Sequence, residues 1–301
     1  MEYINPQSRF MKEPYAIEPF EVYVRRRIAS ICQAQEAPAY AVAGEQKRIE
    51  EMMQALGKDP YGAYESVNNA MNALIESHKC EAVTRLSDAI FYDVMIDCCE
   101  ALGFKNTVGY VYAPAKGEFA YNAMALGYVD MAWVMVSKAY REQPLLDDLE
   151  LACMIGHQLG HVAAKHGAVS LHCKELTGEE TRGHEHTCDR AGLLAALWRA
   201  EKRHPELDAK ALTALALKAS VGLQHKLELL SGFAPKGGFT QQTLTEMMEQ
   251  KPLKESHAKK NDTHPTGWER IRHLEDYVQK IEFLECIHAM WGADHRAARR
   301  L

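Results

Sequence analysis

The apolar positions change their period twice along the chain. In "EQKRIEEMMQALG", "YESVNNAMNALIESH" and "EAVTRLSDAIFYDVMIDCCEALG" they recur every three or four residues, which predicts amphipathic helices. Gly57 and Gly103 stop the first and the third, because a glycine takes up the left-handed turn that ends a helix without strain. The period then tightens. "TVGYVYA" is β-branched and aromatic, Pro114 and Gly117 mark a turn, and "EFAYNAMAL" and "MAWVMVS" predict further short strands. From Pro144 the helical period returns. A helix beginning near Pro144 carries Leu149, Met154, Ile155, Leu159 and Val162 and stops at Gly167. "TGEETRGHEHTCDRAGLLAALWRA" opens another helix, with Thr177 and Glu180 in capping-box spacing. No repeat, low-complexity tract or long Pro/Gly linker divides the chain. The expected fold is α+β, mostly helical with a small mixed sheet. Residues 1–104 form an N-terminal helical part packed with residues 105–301 as one compact unit.

Composition narrows the classes. An apolar content of 47% and a charged content of 25% are those of a globular domain, and 301 residues suffice for a substantial core. A formal charge of −6 gives no general attraction to nucleic acid or anionic lipid, and the short basic end "HRAARRL" does not overturn that. No apolar run is long enough for a membrane span, and "MEYINPQSRFMKEPYAIEPF" lacks a secretory pattern. The eight cysteines show no CxxC pair. Reduced, mostly buried thiols and a cytoplasmic location are therefore expected.

The chemistry concentrates in "LACMIGHQLGHVAAKHG". Residues four apart share a helix face, so His157 and His161 can place two imidazoles on one ion. On the same helical wheel His166 falls about 180° away, so it is not expected to be a ligand. Fourteen histidines in 301 residues supply about 0.6 pairs at this spacing by chance, so the pair alone carries little. The following helix adds to it. Glu185 and Asp189 are four apart on one face, and Gly192 near that face lets another helix approach closely. Glu185 completes a two-histidine, one-glutamate set for zinc, and Asp189 one turn on is suited to hold a ligand histidine by a hydrogen bond. His184, His186 and Cys188 compete on neighbouring faces of the same helix.

Three segments in this order, "IGHQLGHVAAKHG", "EHTCDRAGLLAA" and "THPTGWERIRHL", resemble the HtpX-like and type I CAAX prenyl protease family of gluzincin metallopeptidases. "NAMAL", from Asn122, is similar to the family's Asn-Ala-x-Ala stretch before the zinc helix. The resemblance spans roughly residues 105–280. It implies a zincin-like fold with one Zn2+ held by His157, His161 and Glu185, and a peptide or protein as substrate. It further implies that His264 donates to a developing oxyanion, that Arg270 orients it or pairs with a carboxylate, and that Asn122 and Ala123 lie on an edge strand receiving the substrate backbone. The family's best-known members are membrane-embedded, whereas this chain has no span and resembles a soluble branch.

Position 158 departs from the family. In the mechanism that the resemblance implies, a glutamate there takes the proton of the metal-activated water and returns it to the leaving amine. Gln158 keeps the size and hydrogen-bonding shape of glutamate without its basicity, so the chain is expected to bind zinc and peptide but not to cleave. Two origins fit: a deliberate replacement in an endopeptidase, which the otherwise intact motif favours, or a natural pseudo-peptidase that binds without cutting. For Cys188, a buried structural thiol is expected rather than a redox gate, and His172 and Cys173 form no second metal site.

Overall fold

The computed structural model describes residues 80–104, 108–113, 120–128, 131–164, 166, 178–232 and 239–291, with scattered helical residues between 69 and 77. The helix expected to end at Gly57, the Pro114–Gly117 turn, the Thr177 cap and the His172–Cys173 pair lie outside the described residues.

Among the described residues four strands form one mixed sheet: β1 (Glu81–Ala82), β2 (Val108–Ala113), β3 (Ala123–Tyr128) and β4 (Met131–Ser137). Their order is β1-β2-β4-β3, with β2 and β4 parallel and the outer pairings antiparallel. The mixed sheet and the helical majority agree with the α+β expectation. Residues 81–87 differ from the sequence reading, which ran a helix from Glu81. Glu81 and Ala82 pair with Tyr112 and Val111 instead. Thr84 and Ser87 then exchange side-chain and backbone hydrogen bonds in a tight turn. Helix α1 (Ala89–Leu102) begins only after Asp88, whose carboxylate accepts from the Phe91 N–H. Its end is where the sequence places it, at Gly103 with φ 76°.

After β4 come α2 (Ala139–Glu142), α3 (Asp148–Ala163), α4 (Gly178–Arg203), α5 (Ala209–Gly232), α6 (Gln241–Gln250), α7 (Gly267–Tyr277) and α8 (Ile281–Trp291). Helix α3 starts four residues later than the proline suggested. Asp147 is its N-cap, accepting from the Leu149 and Glu150 N–H groups at 2.9 and 2.8 Å, while Glu150 reaches back to the Asp147 N–H. This reciprocal capping box fixes the start more strongly than a preferred proline position does. The buried Lys226 of α5 donates to the same Glu150 carboxylate at 2.6 Å and to the Leu145 carbonyl at 2.9 Å, pinning the front of α3 to α5.

Tyr112, Ala132, Val134 and Val136 face the helices and join the main core, while Val111 and Met135 on the other face meet Met124 and Trp133. Helices α3 and α4 form the most intimate pair. A Cβ built on Gly192 would lie 2.5 Å from the Cys153 carbonyl oxygen, and one on Gly156 would lie 2.5 Å from the Ala195 Cβ. The two backbones therefore touch where the sequence expected Gly192 to admit a neighbour. Gly192→Ala should destabilise the fold by about 1–3 kcal/mol through forced helix separation. The sign is diagnostic, because alanine is the better helix former by about 1 kcal/mol and an unconstrained site would gain stability. The midpoint of urea unfolding measures it. Arg199 of α4 adds a polar tie, donating to Asp148 on α3 at 3.0 Å and to Asp97 on α1. Among the described residues no helix is long and apolar enough to cross a membrane.

Candidate metal centre and cleft

The close contact of α3 with α4 brings Glu185 against the two histidines of α3. His157 Nε2 and His161 Nε2 lie 3.2 Å apart. The Glu185 carboxylate oxygens lie 3.4 Å from the first and 3.6 Å from the second. Zinc bonds of about 2.0–2.2 Å in tetrahedral geometry put neighbouring donors roughly 3.3 Å apart. The separations present fit that requirement without rearrangement, and the donor set of two imidazoles and a carboxylate suits the ion.

Hydrogen bonds behind the cluster set the rings. His157 Nδ1–H donates to Asp189 Oδ1 at 3.0 Å, the tautomer that leaves the Nε2 lone pair pointing into the centre. Asp189 is in turn clamped by Arg270 of α7, whose Nε donates to Oδ2 at 2.8 Å and whose Nη2 donates to Oδ1. Arg270 also comes within 4.0 Å of Glu185. The sequence suggested Arg270 as an orienting group for His264 or a partner for a carboxylate, and the geometry gives it carboxylates.

Charge follows from this packing. Burial by itself would raise the Glu185 carboxyl, but His157, Arg270 and His161 bring it well below the usual carboxylate range. Burial would likewise raise Asp189, and Arg270 beside it more than reverses that. Burial, with the rings of His157 and His161's other neighbour His166, holds His161 well below an ordinary imidazole, so it stays neutral and its lone pair is free. His157 goes the other way. Burial would lower it, but its hydrogen bonds to Asp189 and Glu185 outweigh that and raise it.

His166 stays outside the group formed by His157, His161 and Glu185, yet it touches that group from behind. Helix α3 ends at Ala163, so the wheel does not extend to residue 166. His166 Nδ1 lies 2.9 Å from His161 Nδ1. His161 donating there keeps its Nε2 free for the centre, as Asp189 does for His157. The ring of His166 stacks on His184 at 4.0 Å, and Cys188 Sγ lies 3.4 Å from its Nδ1. His161, His166 and Cys188 thus form a second close group that shares His161 through its other nitrogen. Cys188 and His166 are both buried. His166→Ala should weaken zinc binding by about 10–100-fold, the usual cost of removing a ligand's supporting partner. Competition with a chromophoric chelator measures it.

A cleft of about 400 Å³ opens beside the cluster, lined in part by Asn122, Ala123, Gln158, His264 and Arg270. His264 is exposed, with Nε2 3.7 Å from Glu185 Oε1 and Nδ1 3.0 Å from the Thr263 hydroxyl. The capping box expected after it is present: Thr266 accepts from the Glu269 N–H, and Glu269 accepts from the Thr266 N–H. Strand β3 is an edge of the sheet among the described residues. The Ser137 N–H donates to the Asn122 carbonyl, so the antiparallel alternation turns the main-chain groups of Ala123 and Ala125 to the open edge. The Asn122 side chain accepts from the Ala123 N–H at 2.8 Å.

Two further side chains take parts that the sequence did not indicate: His166, set aside there as a ligand, and Arg190 of α4. Arg190 is almost fully buried, sits 4.5 Å over the Tyr277 ring and donates to His273. No periodicity or spacing rule marks either, because both positions matter only through a neighbour brought in by tertiary packing.

A histidine pair and an acidic residue held by buried hydrogen bonds at the foot of an open sheet edge make a metallopeptidase architecture. The family comparison gives the same class: residues 88–278 match the model of Peptidase family M48, and the chain belongs to that family. No curated protein and no solved structure gives a significant match.

Proposed function

We propose that the chain is a zinc metalloendopeptidase scaffold, related to the HtpX-like and type I CAAX prenyl proteases, that binds peptides while lacking its general base. The observation that carries this is the convergence of His157 Nε2, His161 Nε2 and the Glu185 carboxylate at tetrahedral donor spacing beside a cleft. Zinc bound there would supply a Lewis acid to polarise a water and the scissile carbonyl.

The chain's own residues do the rest. Asp189 and Arg270 hold His157 in one tautomer, and His166 does the same for His161. The outer edge of β3, unpaired among the described residues, offers the Ala123 carbonyl and the Ala125 main-chain groups to an extended peptide. His264, exposed at the rim and 3.7 Å from Glu185, is placed to donate to negative charge growing on the carbonyl oxygen. Gln158 lines the cleft and can hydrogen-bond a water but cannot take its proton. Cleavage is therefore lost while metal and peptide binding remain.

Metal analysis of the purified chain tests the foundation. One equivalent of zinc is expected, and His157→Ala should lose it. A chain without zinc whose His157→Ala variant is equally stable would mean a metal-free helical scaffold.

A further inference from the structure

The cleft runs past the metal cluster. Cys153 and Met154 lie four and three residues before His157, so they continue the same face of α3 one turn toward its start. Across from them, α5 presents Ser220, Leu223, Gln224 and Leu227 to the same cleft, at the i, i+3, i+4, i+7 spacing of one helix face. The result is a side chamber whose walls are largely apolar.

Its polar groups are nearly all engaged. The Ser220 hydroxyl donates to the Ala216 carbonyl at 3.0 Å and lies 3.2 Å from Cys153 Sγ. The Tyr140 hydroxyl donates to the Tyr121 carbonyl at 3.0 Å. Gln224 is the buried exception on α5. It is 5% exposed and lines the cleft, and its carboxamide makes no hydrogen bond to any described residue. A buried carboxamide with no protein partner costs stability, and a site that leaves one facing a cavity is built to bind something. Among the described residues no charged side chain of the chamber lacks a partner. Arg270 at its metal end is committed to Asp189.

We propose that this chamber is a substrate side-chain subsite in which Gln224 selects a peptide residue bearing a neutral carboxamide, glutamine or asparagine. The proposal rests on the peptidase reading of the same cleft. A carboxamide both donates and accepts, so its best neutral complement is another carboxamide, paired through two hydrogen bonds. The apolar walls take the methylene stem. A lysine or glutamate side chain would bring a charge into a chamber with no counter-charge, and a leucine would leave Gln224 unsatisfied.

The test uses the full-length zinc-loaded chain and a degenerate, end-blocked octapeptide library, with retained peptides sequenced by mass spectrometry. Enrichment of glutamine and asparagine at one position is expected. Gln224→Leu should lower that enrichment about tenfold relative to leucine and methionine at the same position. Gln224→Glu should move the preference to lysine and arginine. Zinc content and circular dichroism of each variant establish that it is folded. An unchanged preference in both folded variants overturns the subsite. A zinc-loaded chain that retains no peptide, and whose Gln158→Glu variant cuts none of the library, overturns the peptidase reading itself. The two failures are thus distinguishable.

Discussion

Replacing Gln158 with glutamate should confer zinc-dependent peptide cleavage, with a rate about 10²–10⁴-fold above that of the chain as it stands. The substitution changes one NH2 to an oxygen, so packing and metal binding should be preserved. What changes is that a carboxylate now faces the cleft beside His157 and His161 and can carry a proton from water to the leaving amine. A quenched fluorogenic form of a degenerate peptide mixture reads the gain, and chelation should abolish it. The rate should rise with pH through the ionisation of the new carboxyl, a limb the parent cannot show. A Gln158→Glu variant that binds one zinc yet cuts nothing would refute the peptidase reading and leave a metal-bound binding protein.

The second large effect is expected at Asp189. Asp189→Ala leaves Arg270 buried without its main partner, and breaking such a pair from one side costs about 3–5 kcal/mol. The orphaned guanidinium already lies 4.0 Å from Glu185, so it should turn to that carboxylate and compete with the metal for it. Loss of the hydrogen bond to His157 compounds this, and zinc affinity should fall by about 10–100-fold. Urea unfolding of the apo protein and chelator competition separate the two effects. The double variant Asp189→Leu, Arg270→Met should recover most of the stability but not the zinc affinity, because it removes both charges while leaving His157 unsupported. The sign with pH is fixed by the lowered carboxyl of Asp189. The pair's contribution is complete above the ordinary aspartate value of about 3.9 and is lost only as pH falls through the lower folded value. Near neutrality, the variant and the parent should therefore differ by the full amount.

Much of the centre was legible because it is local. His157 and His161 are four apart on a helix whose apolar period is plain, and Glu185 and Asp189 repeat that spacing on the next. Gly192 announced the close helix contact, since only a missing Cβ allows a carbonyl within 2.5 Å of that position. Element starts were less legible. The Glu81 helix and the Pro144 start both failed where a cap further along, Asp88 or Asp147, satisfied the free N–H groups better.

The sequence by itself determined which residues are proposed as the donor set, the helix faces that carry them, the α+β composition and the glutamine at position 158 where the proposed mechanism needs a carboxylate. Each depends only on residue type and helical or strand period. The tertiary structure alone decided that β3 is an edge of the described sheet, that His166 supports His161 rather than standing opposite it, that Arg270 clamps Asp189, and that Gln224 lines a chamber with no hydrogen-bond partner among the described residues. The two side-chain contacts among them join residues 5 and 81 positions apart in the chain. No local period encodes such relations, because they follow from which apolar faces pack together.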